Sequence, residues 1–418
     1  NLYIETGYST MEVDKEDAMH TYIDRPHYLE QMKRLKDTQI IKVVTGLRRS
    51  GKSTLFELYI EYLRSIGIPE SQVIHINLEN PAYYPLSNFM DLYTMVDSRL
   101  TSEQMYYVFI DEVQQVPQFE RAVSGLQIKK NVDLYLTGSN AFLLSGELAT
   151  LLSGRYVEIK MLPLSFSEYR QAVHTPSDLP SLYRQYVSYG SLPYILQLKT
   201  SHDILLYLEG VYSSIVMKDI VSRNAIREVG LLEDLIRFMV HNISSFTSAA
   251  KIANTLTAGG RTISAVTVES YLASLVNGFL LYKVGRWDVK GRRHLVSGSK
   301  YYISELGLRR YLLGQQEADH GHILENVVFL ELLRRGYEVY IGHLRDGEVD
   351  FVTFKDGKQV YWQVAYTAID RATLERELKP LLAIKDHWPK VLLTMDLVPP
   401  AFHEGVRQLN VLDWLIEE

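Results

Sequence analysis

The chain has 418 residues, a formal net charge of −6 and no cysteine. At about 100–200 residues per domain this length predicts two to four domains. An apolar fraction of 46% is enough to give each of them a core. The absence of cysteine excludes disulfide scaffolds, thiol nucleophiles, zinc ribbons and iron–sulfur sites. No apolar run approaches the ~20 residues of a membrane span, so we expect a cytoplasmic protein with no membrane partner.

The first part of the chain has the pattern of an α/β sheet. Residues 1–18 show little periodicity, and we expect them to be an extension or a cloning remnant. Between residues 19 and 160 short apolar runs alternate with amphipathic stretches, and Lys52 to Ser65 has helical spacing. The apolar runs predict strands that begin at Ile40, Val73, Tyr106, Val132 and Tyr156. Strands separated by helices indicate βαβ units and a parallel sheet that is buried on both faces.

The strongest motif follows the first predicted strand and matches the phosphate-binding pattern G-x-x-x-x-G-K-S/T. Glycines let several backbone N–H groups point at one anion, and the following helix presents its positive end to the same phosphates. The expected nucleotide-binding residues are Gly46, Arg48, Arg49, Ser50, Gly51, Lys52, Ser53 and Thr54. Lys52 would lie near the β- and γ-phosphates, and the Ser53 hydroxyl would bind Mg²⁺. The two arginines would either raise the positive field of the loop or pair with neighbouring acids.

Polar side chains that follow later strands complete a predicted hydrolytic site. Asp111 and Glu112 end the strand that begins at Tyr106, at the edge where a parallel sheet would place the phosphate loop. Asp111 would hold Mg²⁺, and Glu112 would orient or deprotonate the attacking water. Ser139 and Asn140 end the next strand, where they would contact the γ-phosphate or the water, or cap a helix. Arg155 is either an arginine finger or a solvated surface residue.

The middle of the chain predicts a helical lid and then a winged helix. Residues 161–240 look mainly helical, and residues 241–318 predict two short helices followed by two strands joined by a basic loop. Residues 241–318 hold ten Lys or Arg and four Asp or Glu, which makes a basic module in an acidic chain. Double-stranded DNA is the expected partner, and a module for packing or protein contact is the alternative. The side chains expected to contact DNA are Arg286, Lys290, Arg292 and Arg293.

The last part of the chain, residues 319–418, predicts a helix, three strands, a second helix and a final strand. Glu325 lies on the first helix, Asp350 on a strand and Gln363 on the next strand. This arrangement resembles the core of the PD-(D/E)xK nucleases, whose motif is loose. The resemblance implies that Asp350 and Glu325 match the acids that hold Mg²⁺ in active members.

Two substitutions in this region predict a damaged nuclease site. Gln363 and Ala365 stand where active members carry a glutamate and a lysine. A glutamine still offers an oxygen ligand, but an alanine cannot supply the charge of the lysine. Lys358 or Lys379 could replace that lysine only if the fold brought one of them close. We therefore expect a nuclease-like scaffold that binds but does not cut.

Four segments in order extend this interpretation to a family. They are GLRRSGKST, YYVFIDEVQQV, LTGSNAFLLSGELATLLSGRY and LPLSFSEY. Together they resemble a prokaryotic AAA+ ATPase family that pairs an AAA-type ATPase domain with a C-terminal domain of unknown function similar to DUF4143. The resemblance implies that Ser139 or Asn140 is the sensor-1 residue and that Arg155 is a finger or sensor. Two further segments, Gly190 to Tyr194 and Lys218 to Ile220, look like landmarks of the family with no role that the sequence reveals.

The resemblance and the residues together predict an α/β protein of four parts. These are an AAA+/ASCE P-loop NTPase core (19–160), a helical lid (161–240), a winged-helix module (241–318) and a restriction-endonuclease-like α/β domain (319–418). The expected cofactors are ATP and Mg²⁺, and the expected activity is an ATP-driven switch or motor acting on DNA. A nucleotide-gated protein-interaction switch is the alternative, and an ATP-dependent nuclease is the lesser one. Self-association or a protein partner is also expected.

Overall fold

The computed structural model describes residues 22–101, 103–141, 152, 154–173, 178–314 and 319–417. The extension expected at 1–18 lies outside these residues. The α-helices are α1 (Pro26–Arg34), α2 (Lys52–Ser65), α3 (Phe89–Asp97), α4 (Phe119–Gln127), α5 (Phe166–Ala172), α6 (Leu179–Tyr189), α7 (Ser201–Ser214), α8 (Val229–His241), α9 (Ala249–Ala258), α10 (Ala265–Asn277), α11 (Leu306–Leu313), α12 (His320–Arg334), α13 (Arg371–Ala383) and α14 (Val411–Ile416). The strands are β1 (Ile41–Thr45), β2 (Val73–Asn77), β3 (Tyr106–Asp111), β4 (Val132–Gly138), β5 (Tyr156–Lys160), β6 (Leu281–Asp288), β7 (Arg293–Ile303), β8 (Glu338–Leu344), β9 (Gly347–Lys355), β10 (Lys358–Ala365), β11 (Lys390–Thr394), β12 (Ala401–His403) and β13 (Val406–Asn410).

The first sheet contains the five strands that the sequence predicts, in the order β2-β3-β4-β1-β5. All neighbouring strands are parallel, and every residue of β1, β3 and β4 is buried. The predicted helix from Lys52 to Ser65 is confirmed as α2. Because parallel strands end at one edge of a sheet, the segments that follow β1, β3 and β4 meet there.

A helical region follows the first sheet. It contains the helices α5, α6 and α7. Helix α7 is continued by a π-helical segment, Ile215–Val221, and by a last turn, Ser222–Asn224. Ser165 begins α5 with a capping box, since its hydroxyl accepts from the N–H of Glu168 and the Glu168 carboxylate accepts from the N–H of Ser165. The prediction of a mainly helical segment is therefore confirmed.

The order predicted for the middle of the chain is also present. Helix α8 is followed by an antiparallel bridge between Thr247 and Ser299, then by α9, α10 and the hairpin β6–β7. The hydroxyl of Ser248 caps the N-terminus of α9, and the hydroxyl of Ser264 caps that of α10. The preference for serine at the N-cap predicts the second of these. The hairpin turn lies between residues 288 and 293, where the sequence predicts a basic loop.

The second sheet is mixed and has the order β12-β13-β11-β10-β9-β8-β6-β7. Its first strand in sequence, β6, pairs in parallel with β8 through Arg286 to Asp288. The hairpin expected to be the wing of a separate module is thus also the edge of the C-terminal sheet. The sequence predicts a single strand after the last long helix, but the structure has β11, the hairpin β12–β13 and α14 there. Strand β12 was missed because its three residues are too few to give a pattern.

One hydrophobic core joins the parts that follow the first sheet. It runs from Leu47 beside the phosphate loop, through the helical region and α8 to α12, to Leu415 in α14. Separate clusters fill the two faces of the first sheet. Among the described residues, no helix is both long enough and apolar enough to cross a membrane.

Candidate functional site

The loop between β1 and α2 is a bent segment, the cradle, that leads into the N-terminus of α2. Gly46 has φ +148°, and a Cβ there would overlap the carbonyl oxygen of Met161. Arg49 also has a positive φ, of 68°. The hydroxyl of Ser50 is buried and has no hydrogen-bond partner among the described residues. A bent loop with an unused buried hydroxyl and a helix N-terminus fits the phosphates of a nucleotide.

Lys52 lies inside this cradle. Its Nζ donates to the carbonyl oxygens of Gly46 (3.2 Å) and Leu47 (3.1 Å), and it lies 3.9 Å from Oε1 of Glu112. Burial lowers the pKa of Lys52, although the carboxylates of Glu112 and Asp111 oppose that effect. The ammonium group thus binds carbonyls of its own loop, and a phosphate oxygen would be a better partner for it.

The two acids at the end of β3 are held by Thr137 of the neighbouring strand. The Thr137 hydroxyl donates to Oδ1 of Asp111 and accepts from the backbone N–H of Glu112 (2.9 Å). Glu112 has φ +53°, which is an uncommon conformation for a residue with a side chain. Its Oε2 accepts from Gln114 and, at 3.2 Å, from the hydroxyl of Ser139. The sheet therefore brings Lys52, the two acids and Ser139 to one edge, as the sequence predicts.

The predicted sensor residues contact Asp219, a residue to which the sequence interpretation assigned no role. Ser139 Oγ is 3.2 Å from Oδ1 of Asp219, and Asn140 donates to the Asp219 carbonyl oxygen (3.0 Å). Arg48 donates from Nε to Oδ2 of Asp219 (3.0 Å) and from Nη1 to Glu79 (3.0 Å). Of the two roles considered for Arg48, pairing with neighbouring acids is the one observed. Burial opposes the charge of Arg48, but Asp219 and Glu112 raise its pKa.

Other residues of the site were missed for different reasons. Thr137 lies in the strand-end motif and could have been found there, and Asp219 lies in the landmark that had no assigned role. Arg25 precedes α1 and has no motif, yet its Nη1 donates to the carbonyl of Ser50 (3.0 Å). Its Nε pairs with Glu168 (2.9 Å). These contacts join segments far apart in sequence, which a local pattern does not reveal.

The remaining loop residues differ in exposure. Ser53 and Thr54 lie in the first turn of α2 and are half-buried, whereas Arg49 is exposed. Ser53 and Asp111 would hold Mg²⁺, since a hydroxyl and a carboxylate are the hard oxygen ligands that this ion prefers. Bound there, Mg²⁺ would neutralise charge on the β- and γ-phosphates.

Arg155 lies away from the phosphate loop of its own chain. It is exposed, and its carbonyl accepts from the N–H of Ile41, at the start of β1. The loop follows the other end of β1, where Thr45 pairs with Lys160. The length of β1 lies between this end of the strand and the phosphate loop, which argues against a sensor role of Arg155 within its own site. A finger supplied to a neighbouring copy and a solvated surface arginine both stay open.

The expected nucleic-acid contacts are only partly on one surface. Lys290 and Arg292 are exposed, and the side chain of Arg293 is 75% exposed at 3.8 Å from Asp288. Arg286 differs: its Nη2 lies 2.6 Å from Nδ1 of His343, and its guanidinium packs 4.8 Å from the ring centre of Phe246. Helix α10 contains no Lys or Arg. The basic surface is thus the hairpin turn, without Arg286.

The residues that were expected to form a nuclease-like site lie close together. Oε1 of Gln363 lies 3.4 Å from the N–H of Asp350, and Oδ2 of Asp350 accepts from the N–H of Val364 (2.8 Å). Burial raises the pKa of Asp350 to about 8, and the neighbouring charge of Glu325 acts in the same direction. In the part of the chain that the structure describes, no group of three or more His, Asp or Glu side chains is arranged to hold a metal ion.

A lysine from β7 fills the space between these acids. Lys300 Nζ lies 2.8 Å from Glu348, 3.1 Å from Glu325 and 3.8 Å from Asp350. Burial opposes its charge, but the carboxylates outweigh burial and raise the pKa of Lys300. Lys358 and Lys379, the two replacements considered from sequence, are exposed and do not join the cluster. Strand alternation could have indicated Lys300, which shares a face of β7 with buried Tyr302.

Comparison with known proteins agrees with this geometry. A family model described as an AAA domain matches residues 38–170, and a domain of unknown function, DUF8612, matches residues 180–319. With the phosphate loop, the paired acids and the parallel sheet, the first match makes this chain a P-loop protein with an AAA-type, nucleotide-binding ATPase domain. The expected similarity to DUF4143 stays a prediction.

Relatives place the chain in a family. An uncharacterized protein of Haemophilus influenzae is 38% identical over 399 residues, which is 94% of this chain and 99% of that protein. The chain belongs to the same family as this protein. An uncharacterized protein of Methanocaldococcus jannaschii is 28% identical over 83% of this chain and 79% of its own length. A Walker-type ATPase of Pyrococcus abyssi has 14% identity and a TM-score of 0.49 over 70% of this chain and 96% of its own.

Proposed function

We propose that this protein binds ATP with Mg²⁺ at its phosphate loop and hydrolyses it to ADP and phosphate. One observation carries the proposal: Lys52 lies in the cradle of the loop, 3.9 Å from Glu112, and Thr137 holds Glu112 and Asp111 at the same sheet edge. Lys52 would stabilise charge on the phosphates, and Ser53 and Asp111 would hold the ion. Glu112 would accept the proton of the attacking water.

The proposal separates binding from turnover. Lys52→Ala should weaken nucleotide binding, because it removes the ammonium that faces the phosphates. Glu112→Gln should retain binding and lose turnover, since an amide cannot accept the proton of water. Binding is measured with a fluorescent ATP analogue, and turnover by phosphate release. Glu61→Gln, an exposed change on α2, is the matched control and should behave as the parent. A Glu112→Gln protein that hydrolyses ATP at the parent rate would show that the role of Glu112 is wrong.

We further propose that the ATPase cycle acts as a switch whose partner is double-stranded DNA, contacted through the basic hairpin turn. Lys290, Arg292 and Arg293 are exposed together at the tip of the hairpin β6–β7. Each phosphate contact adds about −0.9 to the slope of log K against log salt. Replacing all three by Gln should lower both affinity and slope in an anisotropy titration with duplex DNA.

The control for this experiment removes three other exposed cations. Lys358, Arg371 and Lys379 lie on the C-terminal part, outside the hairpin turn. Their replacement by Gln changes the net charge by the same amount and should leave the salt slope near that of the parent. Equal losses for both triple variants would contradict a specific role of the turn.

A protein partner is the second candidate, and the surface of α10 favours it. This helix is the second of the pair before the hairpin and is the one that would enter a DNA groove. It carries Glu269 but no Lys or Arg, and Val266 on it is 75% exposed. An ATPase-competent protein that shows no salt-dependent binding of duplex DNA would favour this candidate.

Self-association would give Arg155 a role in catalysis. Its guanidinium is exposed at the sheet edge away from its own site, which suits a finger supplied to a neighbouring copy. Mixing Arg155→Ala with Glu112→Gln protein should then change turnover cooperatively with the mixing ratio. A strictly additive response, or particles that stay monomeric with a slowly hydrolysed ATP analogue, would contradict this role.

A further inference from the structure

The π-helical segment Ile215–Val221 places one buried acid against the nucleotide site. Asp219 is 1% exposed. Its Oδ2 lies 3.0 Å from Nε of Arg48, and its Oδ1 lies 3.2 Å from Oγ of Ser139. Its carbonyl accepts from Asn140 at 3.0 Å. A π-helix is rare and is found frequently at functional sites. Asp219 thus connects the phosphate loop and the end of β4 to the helical region.

Ser139 lies between two carboxylates that compete for it. Its Oγ is 3.2 Å from Oε2 of Glu112 and 3.2 Å from Oδ1 of Asp219. A serine hydroxyl has one proton to donate, so a bond to one acid is lost when the other is formed. Arg48 is in a similar position, because its guanidinium would pair with a phosphate as readily as with Asp219.

The next residue in the chain contacts a different part of the molecule. Ile220 is fully buried against the turn that ends α10, where a Cβ on Gly278 would lie 2.9 Å from Ile220 Cγ1. The turn leads directly into β6 and the basic hairpin. Two consecutive residues therefore contact the nucleotide site and the end of α10.

We propose that Asp219 is a positioning residue that couples nucleotide binding to α10, an inference that rests on the proposed ATPase function. Without nucleotide, its carboxylate holds Arg48 and Ser139. A bound γ-phosphate competes for the same two donors and breaks these contacts. The segment around Asp219 then shifts, and Ile220 transmits the shift to α10. ADP lacks the γ-phosphate and leaves the contacts in place.

The inference predicts a change in nucleotide preference. Asp219→Asn removes the charge that competes with the γ-phosphate for Arg48, so ATP should bind at least 5-fold more tightly, with a smaller change for ADP. Coupling factors of about 5–150-fold are typical of such linked equilibria. Asp219→Glu, which keeps the charge, should restore the parent ratio of ATP to ADP affinity. Glu209→Gln, an exposed change on α7, is the control and should leave that ratio unchanged.

Movement of α10 can be measured directly because the chain has no cysteine. A fluorophore attached to Val266→Cys, at a position 75% exposed on α10, should change its emission when a slowly hydrolysed ATP analogue binds and not when ADP binds. Ile220→Ala should keep nucleotide affinity but reduce this response, since the Cγ1 and Cδ1 atoms that face Gly278 are removed. The same label on Ile128→Cys, 73% exposed in the first domain, should not respond.

The outcomes separate the coupling from the activity on which it rests. A parent that binds ATP but shows no response at Val266→Cys, or an Asp219→Asn protein with the parent ATP-to-ADP ratio, overturns the coupling and leaves the ATPase proposal standing. A parent that retains no nucleotide overturns both. If Asp219→Asn does not fold, Ile220→Ala decides: an undiminished α10 response in that variant overturns the coupling.

Discussion

The carboxylate of Glu305 accepts hydrogen bonds from both the backbone N–H and the hydroxyl of Ser191, each at 2.9 Å. It also accepts from the N–H of Gly307 at 2.8 Å. Glu305 is fully buried, and it fixes the segment that precedes Pro193 to the start of α11. Pro193 in turn lies 3.7 Å from the position of a Cβ on Gly51 in the phosphate loop. This gives the landmark that begins at Gly190 a structural role between the loop and the C-terminal part.

Glu305 should make stability depend on pH. Burial raises its pKa to about 7, against the opposing effect of the hydrogen bonds from Gly307 and Ser191. Because the folded pKa lies above the unfolded value of about 4.3, the stabilisation is complete below pH 4.3 and is lost as the pH rises through 7. The free energy of unfolding should therefore fall over this window by at most about 4 kcal/mol on account of this group. Urea unfolding of the parent and of Glu305→Gln at pH 5 and pH 8 measures it, and equal pH dependence in both would contradict the assignment.

Gly190 should not tolerate a side chain. It has φ +91°, and a Cβ there would overlap Oε1 of Glu305. Gly190→Ala should lower the free energy of unfolding by more than 2 kcal/mol, roughly the cost of overpacking with added backbone strain. Gly210→Ala is the matched control, because no atom lies within 4 Å of its Cβ position on α7. That change should stabilise the protein by up to about 1 kcal/mol, and similar losses in both would show that the contact with Glu305 is unimportant.

The sequence predicts the first sheet and the phosphate site well because both depend on local patterns. Each pattern is contiguous in sequence: the apolar strands, the loop that begins at Gly46, and the acid pair Asp111 and Glu112. Parallel strands end at one edge of the sheet, so the segments that follow them come together there. Asp219 and Lys300 are different. Asp219 reaches the site through the packing of the helical region, and Lys300 reaches its cluster from a strand assigned to another module. Alternation along β7 indicates only that Lys300 shares a face with buried Tyr302, and no spacing rule connects either residue to the motifs.

Arg25 should hold the phosphate loop in shape. Besides its bonds to Ser50 and Glu168, its Nη2 donates to the carbonyl of Leu162 at 2.6 Å. Arg25→Lys replaces a planar fork by a single ammonium that cannot reach all three partners. The free energy of unfolding should fall by about 1–3 kcal/mol, the cost of a buried acceptor that loses its donor. Nucleotide affinity should fall as well, because the Ser50 carbonyl loses its donor.

The control for Arg25 is an exposed arginine in an ion pair. Arg64 lies 2.7 Å from Glu70, and their side chains are 50% and 70% exposed. Arg64→Lys should cost less than about 1 kcal/mol and should leave nucleotide affinity unchanged. Thermal unfolding and titration with the fluorescent ATP analogue give both quantities. A loss at Arg25 no larger than the loss at Arg64 would contradict the bridging role.

Lys300 should stabilise the nuclease-like cluster and not support cleavage. Its ammonium is the cation shared by Glu325, Glu348 and Asp350, so Lys300→Met leaves those carboxylates without one. Thermal unfolding should show a loss of about 3–5 kcal/mol, while the exposed change Lys358→Met should have little effect. We expect no cleavage of DNA by the parent with Mg²⁺. With Mg²⁺ present, cleavage that needs ATP and that Asp350→Ala abolishes would instead establish the ATP-dependent nuclease, with Lys300 in the place of the lysine missing at Ala365.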